Sequence, residues 1–388
     1  MAGLYIHIPF CKSRCSYCAF YSTTHAELRQ RYVDAVCKEM EKRGERIETI
    51  YLGGGTPSQL TIAQLEQLFI YINKVYSPQG EVEITIECNP DDITVALADA
   101  LSRLGINRVS MGAQTFDDRR LHFLNRRHTA AQVPLAVERL RQAGIKNISI
   151  DLMYGFPSET IADWQRDIEA VLSLGVEHIS AYCLMVEEGT PLWKLKIKDE
   201  RLKFPDEETE RQMYEMLIDK LSAAGYEHYE ISNFAKPSYR SSHNSSYWKD
   251  VPYIGLGAAA HSYTPHQTSP KGEAYLRAGG VRSWNVADLK EYIRRIEHGE
   301  SPMEDSELIE GWTWYNDRVT VALRTCEGLE LNTLTDEQRD YCMKNARRFL
   351  DDGLLTLSTH HSPLTTHLCL TRKGLFVSDM VMSELMRV

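Results

Sequence analysis

Short apolar runs alternate with longer amphipathic stretches through the first half of the chain. Residues 4–8, 49–52, 82–87, 108–111, 148–152 and 178–182 carry the apolar runs and read as strands. The stretches between them, 26–43, 61–75, 94–104, 129–143 and 160–174, carry helical spacing. Thr61, Thr94, Thr129 and Thr160 stand where helix N-caps are wanted, and the first helix has Thr24 two residues upstream. Gly105, Gly144 and Gly175 follow three of the helices, where a left-handed residue is favoured. Such alternation builds a parallel sheet, because each parallel pairing needs a crossover. Six units fall short of the eight that close an ordinary barrel. The expected fold is therefore α/β, a partial (β/α)6 barrel or an open curved sheet.

Past the sixth unit the rhythm fades. Residues 226–263 read as an irregular segment over the mouth of the sheet, and 264–283, rich in Pro and Gly, as a loop or hairpin. The remainder reads mainly as helix. Its end, 338–350, 353–358, 367–370 and 373–385, has the order helix, strand, strand, helix, which is winged-helix-like. The expected division is 1–225 for the core, 226–284 for the covering segment and 285–388 for a smaller C-terminal domain.

The polar residues fall at one end of the expected strands. The first strand runs into a cysteine loop, the second into Gly53, Gly54, Gly55 and Thr56, and the third into Glu87 and Asn89. The fourth leads to Gln114, the fifth to Asp151 and the sixth to Tyr182. Barrel-type α/β folds carry their chemistry at the C-terminal ends of strands, so a curved sheet would bring these groups together. The glycine run makes a tight turn or lets bare backbone approach a ligand. It is not a Walker A loop, since no Gly-Lys-Ser/Thr follows.

Composition changes this picture little. The 388 residues are 43% hydrophobic and 25% charged, as in an ordinary globular protein. The net charge of −10 weighs against bulk nucleic-acid binding, which needs cations to neutralise phosphates. No signal peptide or membrane-spanning run is read in the sequence, so a reducing cytoplasm is expected.

Cysteine spacing changes it most. Cys11, Cys15 and Cys18 form a Cys-x3-Cys-x2-Cys run with no fourth Cys in reach of the loop. Three thiolates on one loop suit three corners of a 4Fe-4S cluster and leave one iron open. The alternative, structural zinc, wants four ligands, usually as two separated pairs. Cys37, Cys88, Cys183, Cys326, Cys342 and Cys369 are scattered singly among apolar neighbours, like small core residues.

The cysteine run, with an aromatic before its last Cys, resembles the radical S-adenosylmethionine superfamily. The wider set is similar to the oxygen-independent coproporphyrinogen III oxidase family. It comprises Tyr5 to Cys11, Gly53 to Pro57, Ile86-Glu87-x-Asn89-Pro90, Gly112-x-Gln114 and Asp151 to Gly155. The resemblance implies a radical S-adenosylmethionine core holding a 4Fe-4S cluster on Cys11, Cys15 and Cys18. It also implies S-adenosylmethionine bound at the open iron, reductively cleaved to a 5′-deoxyadenosyl radical. It assigns binding to Tyr5, Tyr17, Gly54, Gly55, Thr56, Glu87, Gln114, Arg126 and Asp151. Glu87 would meet the ribose or methionyl part, and Arg126 a carboxylate.

Two departures separate this chain from the oxidase proper. Phe20 stands where that enzyme has a further Cys, and the chain begins four residues before Tyr5. Both departures, and the run His243-Asn244-Ser245-Ser246-Tyr247-Trp248, resemble instead the heme chaperone branch of the family. That resemblance implies heme as cargo, with His243 as the candidate contact and His261 as a second. It further implies an apo-hemoprotein acceptor, an electron donor to the cluster, no nucleic acid, and leaves open a peripheral encounter with a membrane. The rival function is a radical S-adenosylmethionine enzyme acting on a tetrapyrrole, either coproporphyrinogen oxidase or an anaerobic heme-degrading methyltransferase. A cluster-based oxygen sensor is a third reading.

Overall fold

All six expected strands form, and they pair in parallel. They are Ala2–Ile8 (β1), Ile47–Gly54 (β2), Glu83–Cys88 (β3), Arg108–Gln114 (β4), Asn147–Tyr154 (β5) and His178–Cys183 (β6). The computed structural model describes residues 2–199, 201–266, 279–359 and 365–387. Between the strands run the helices Arg29–Met40 (α1), Ile62–Tyr76 (α2), Val95–Arg103 (α3), Asp118–Phe123 (α4), Gln132–Gln142 (α5) and Ile161–Ser173 (α6). The short α4 was not expected from the sequence. Thr61, Thr94 and Thr160 each cap their helix by accepting the backbone N–H three residues on. Such a cap contributes about 1 kcal/mol. Thr129 does not cap α5; its N–H is held by Gln132 Oε1. Gly105, Gly144 and Gly175 take the expected positive φ.

The sheet is larger than the six units. The added strands are Glu227–Glu230 (β7), Asn233–Ala235 (β8), Tyr253–Leu256 (β9), His261–Pro265 (β10), Gly279–Asn285 (β11) and Met303–Glu310 (β12). Before them lie Pro191–Lys198 (α7) and Glu207–Ala223 (α8). The order of the sheet is β12-β11-β10-β9-β1-β2-β3-β4-β5-β6-β8-β7. The stretch 226–284 is thus not an irregular cover. It widens the sheet on both flanks, because β8 pairs antiparallel with β6 while β9 pairs parallel with β1. The expected hairpin at 264–283 is real in its flanks, β10 and β11, while residues 267–278 lie outside the described residues.

The expected start of the C-terminal domain at 285 also moves. Leu289–Glu297 (α10) buries Leu289, Tyr292, Ile293 and Ile296 in the main core beside α1. A separate core forms around Gly311–Ala322 (α11), Asp336–Asp351 (α12) and Ser378–Leu385, and it reaches back to Tyr263 and Ile309 of the sheet. Its small sheet joins Leu329–Glu330, Leu355–Ser358 and His367–Leu370, in agreement with the expected helix–strand–strand–helix order. Among the described residues no helix is long and apolar enough to cross a membrane.

Candidate functional site

The C-terminal ends of β1–β6 surround a cavity of about 620 Å³. Cys11, Cys15, Cys18, Tyr17, Gly54, Gly55, Thr56, Glu87, Gln114, Arg126 and Asp151 all line it. The six strand ends read from the sequence therefore do converge. Tyr5 and His243 do not line this cavity.

The cysteine loop is pinned by its backbone. Cys11 N–H donates to Thr23 O at 2.8 Å, Ser16 N–H to Leu124 O at 3.0 Å, and Leu192 N–H to Ser16 O at 2.8 Å. Asn125 Nδ2 donates to Arg14 O at 2.8 Å. These anchors keep the loop from collapsing into the cavity, so the thiols face open space. Cys11 Sγ lies 3.6 Å from Thr56 Oγ1, and Cys15 Sγ accepts from Arg126 Nη1 at 3.4 Å. Burial pushes the Cys11 and Cys18 thiols up, so metal binding there releases protons.

Among the described residues no three Cys, His, Asp or Glu side chains close on a single ion. Zinc needs all its ligands within about 2–2.3 Å of one point, which this loop does not offer. Three thiols spread around a cavity fit the wider corners of a cluster. Bare backbone beside them completes the cradle. Gly54 has φ +108°, and a Cβ there would fall 2.4 Å from the His7 ring; at Gly55 it would fall 2.7 Å from Pro9 C. Side chains are excluded at both positions, so backbone alone faces the cavity.

The carboxylates lie deeper. Glu87 accepts from Tyr51 Oη at 2.7 Å and from Gly54 N–H at 3.1 Å. Burial, opposed by the Tyr51 donor and reinforced by Asp151, pushes Glu87 up to about 7. Asp151 accepts from Ser110 Oγ at 3.3 Å and is also raised by burial. Below them Arg108 is fully buried, with Nε and Nη1 lacking a hydrogen-bond partner. Its charge favours both carboxylates in their ionised form.

Arg126 is clamped rather than free. Its Nη2 donates to Asn89 Oδ1 at 2.7 Å and to Gly112 O at 2.5 Å, while Nε is buried without a partner. An orphaned guanidinium donor at a cavity wall is a group that awaits a ligand or a water. Gln114 follows a register shift between β4 and β5 and takes φ +68°, which turns its side chain over Gly112. Sequence reasoning missed the role of Asn89, although it stands inside the quoted Glu87-x-Asn89-Pro90 motif.

Tyr5 acts from one layer below the cavity. Its Oη lies 3.0 Å from His7 Nδ1, and His7 Nε2 donates to Tyr21 O at 3.1 Å. Burial, opposed by the Tyr21 carbonyl, lowers His7 to about 4, so the ring is neutral and rigidly held beneath Gly54. Tyr5 thus supports the glycine turn through His7.

His243 sits at the opposite end of the strands. It opens the short helix Ser242–Tyr247 (α9), capped by Ser241. Its ring is fully buried, with Nδ1 2.8 Å from Thr49 Oγ1 and Nε2 2.9 Å from Tyr247 Oη. The Ser242 and His243 N–H groups both donate to the Glu83 carboxylate. In this arrangement neither ring nitrogen is free to ligate iron, which corrects the expectation of a direct heme contact. A second cavity of about 840 Å³ lies outside α9, lined by Glu48, Glu81, Glu83, Glu327 and Glu330 against Arg240, Lys249 and Arg318. It is the larger of the two, but it contains none of the cysteines and none of the C-terminal ends of β1–β6.

The cavity mouth is apolar. Phe20 is 72% exposed, Met185 67% and Tyr182 44%, and all three border the site. Such clustered exposure is uncommon away from binding surfaces.

Comparison with known proteins agrees with this geometry. Residues 5–171 match the radical SAM superfamily. The chain is 37% identical over 336 residues to the heme chaperone HemW of Bacillus subtilis, covering 85% of each. It is 30% identical over 393 residues to the heme chaperone HemW of Mycobacterium tuberculosis, covering 99% of this chain and 94% of that one. The coproporphyrinogen III oxidase HemN of Escherichia coli, a radical SAM enzyme, shares the fold: its TM-score is 0.79 at 20% identity, over 99% of this chain and 89% of its own. The chain belongs to the radical SAM superfamily and, within it, to the HemW heme chaperone family.

Proposed function

We propose that this protein binds heme and delivers it to an apo-hemoprotein in the cytoplasm, from a core that holds a 4Fe-4S cluster and S-adenosylmethionine. Cys11, Cys15 and Cys18 would hold the cluster. Gly54, Gly55, Thr56, Glu87, Gln114, Arg126 and Asp151 would cradle S-adenosylmethionine, with Tyr17 over it. When bound, this pair supplies one-electron chemistry and calls for an electron donor. The residues of the chain bind and orient the pair: Glu87 offers acceptors already aligned by Tyr51 and Gly54, and the orphaned Arg126 Nε offers a donor.

The observation that carries the heme reading over the oxidase reading is the composition of the cavity mouth. Coproporphyrinogen carries four propionates, and a pocket for it needs several free cations. This cavity is lined by Arg14 and Arg126 against Glu87, Asp151 and Glu187, and Arg126 is already engaged. Phe20, Tyr182 and Met185 instead present an exposed apolar border, which suits a flat apolar cargo that must also leave.

The test is anaerobic. The chain with its cluster rebuilt is titrated with hemin, with and without S-adenosylmethionine, and then mixed with apomyoglobin as acceptor. Parallel samples receive coproporphyrinogen III. Saturable heme uptake, transfer to the acceptor and no decarboxylation are expected. Decarboxylation without heme retention would return the chain to the oxidase reading.

A further inference from the structure

The inner face of the core strands is polar, where barrels of this kind are ordinarily filled with branched aliphatic side chains. Glu87 of β3, Ser110 and Gly112 of β4 and Asp151 of β5 all line the cluster cavity. Side chains alternate along a strand, so Thr85, Arg108 and Asn147 lie on that same face, deeper in. They stand side by side, since Thr85 pairs with Arg108 and Arg108 with Asn147.

Among the described residues Arg108 is the one buried Arg or Lys. Its Nε and Nη1 have no hydrogen-bond partner, and no carboxylate pairs with it. Its neighbours in the row are equally unused: Thr85 Oγ1 and Asn147 Oδ1 are buried without partners. Arg120 and Arg324, both more exposed, are paired, with Glu159 at 3.1 Å and Glu230 at 2.8 Å. An unpaired buried charge costs stability, and a well-packed apolar residue in its place is often neutral or stabilising. Packing therefore does not account for Arg108.

Its neighbours in charge lie one layer up. Glu87 stands one strand over and two residues on, with the Cα atoms about 8 Å apart. A buried cation is little screened over that distance. Burial raises Asp151, and Arg108 leads the groups that oppose it, ahead of Ser180, Ser110 and Arg126. Burial raises Glu87 too, reinforced by Asp151 and opposed by Tyr51, the Gly54 N–H and Arg108. The other groups turned to these carboxylates carry no charge: burial holds Tyr5, Tyr17, Tyr51, Tyr182 and Tyr247 neutral. His178 and His243 also feel Arg108, and burial first and then its charge keep both rings neutral. Glu83, two residues before Thr85, is occupied by the N–H groups of α9.

We infer that Arg108 is a positioning residue of the cofactor site: an internal cation, left unpaired, that holds Asp151 and Glu87 as carboxylates so that both can accept donors from S-adenosylmethionine. The inference rests on the S-adenosylmethionine reading given above and adds the group that prepares the floor of that site. A direct ion pair with either carboxylate would occupy the oxygens that a ligand needs. A cation one layer down supplies the charge and leaves those acceptors free.

The test uses the full-length chain with Arg108→Met, which removes the charge at similar length, and Arg108→Lys, which keeps it. Difference infrared spectra of the cluster-free protein, taken against Asp151→Asn and Glu87→Gln, isolate the two carboxyl bands and their pH midpoints. Arg108→Met should move the Asp151 midpoint up by about one pH unit, and that of Glu87 by less. Arg108→Lys should leave both near the wild type. In the cluster-loaded protein the pH profile of S-adenosylmethionine affinity should move up with them, with up to about tenfold weaker binding on its acid side. The melting temperature of Arg108→Met should be unchanged or higher. Arg108→Gln should move the midpoints the same way, and it replaces Arg108→Met if that variant does not fold. Unmoved midpoints, or an affinity profile that stays in place while they move, overturn the inference and leave the cofactor reading standing. If the cluster-loaded wild type binds no S-adenosylmethionine, both fall together.

Discussion

The two ends of the parallel strands offer a controlled comparison. At the C-terminal end, polar groups are left incomplete: three thiols outside any disulfide face a cavity, Arg126 Nε has no acceptor, and backbone at Gly54 and Gly55 is bare. At the N-terminal end the histidine motif is complete. His243 has both nitrogens within hydrogen-bond distance of a hydroxyl, and Glu83 takes the first N–H groups of α9. A buried polar group normally finds its partner within the fold. The motif whose partners are missing is therefore the one that expects a ligand, and the motif whose partners are present is a plug. Both ends carry a recognisable motif, and only the degree of satisfaction tells a binding motif from a structural one.

The largest effect that can break this comparison is at the cysteines. Replacing Cys11, Cys15 and Cys18 together by Ala should remove nearly all cluster iron and its visible absorption. The circular-dichroism spectrum and melting temperature of the cluster-free protein should stay unchanged, since those thiols support no core packing. Iron analysis decides it: full iron in the triple variant would place the cluster elsewhere.

His243→Ala should have the opposite signature. It leaves Thr49 and Tyr247 without their partner and opens a cavity under Tyr51, which stacks on the ring at 5.1 Å. A loss of about 2–4 kcal/mol in urea unfolding is expected. Heme and iron bound per folded molecule should be preserved. Loss of heme at unchanged stability would reinstate His243 as a cargo contact and dissolve the contrast between the two ends.

How much of this was legible in the sequence differs in the same way between regions. The six core strands are buried on both faces and so appear as plain apolar runs. The residues at their ends could be placed on one rim by topology alone. The flanking strands could not be read. β7, β8, β9 and β10 have three to five residues each, and they join the core only through the distant pairings of β9 with β1 and β8 with β6. β12, Met303–Glu310, is mostly exposed and acidic, and it is held by ladder bonds and by Arg282 bridging to Glu307. Neither periodicity nor propensity marks such strands. A motif also says that a residue stands near a ligand, but not which layer it occupies: Tyr5 lies beneath the glycine turn. Likewise the locked ring of His243 turns on a hydrogen bond with Thr49, far away in the sequence.

Acid unfolding sharpens the comparison further. Burial lowers His243 to about 3, and lowers His7 and His128 to about 4. Unfolded, each would titrate near 6.5. Between these limits the unfolded chain binds more protons, so stability rises with pH there. The contribution is fully present above about pH 6.5 and is lost as pH falls toward 4 and below. Urea midpoints measured from pH 7 to 4 should fall steadily, and His243→Gln should flatten the slope by about one proton. An unchanged slope would show that His243 is not neutral in the native plug.

The smallest effect tests the rim, and it runs in the other direction. Glu87 is raised to about 7. It therefore favours the folded state while protonated, and that contribution is lost as pH rises through about 7. Ligand binding responds with the opposite sign. If Glu87 receives hydroxyl or ammonium donors of S-adenosylmethionine, only the carboxylate can accept them at both oxygens. Affinity for S-adenosylmethionine in the cluster-loaded protein should then increase between pH 6 and 8, by about tenfold at most. Glu87→Gln should bind more weakly at pH 8 and lose the dependence. The fold should tolerate that change, because the amide oxygen can keep the Gly54 N–H while the amide NH2 donates to Tyr51 Oη, which both donates and accepts. Isothermal titration at three pH values separates the cases. A flat profile in the wild type would mean that Glu87 serves the glycine turn alone, like the residues of the plug, and that the ligand is held by Arg126 and the bare backbone instead.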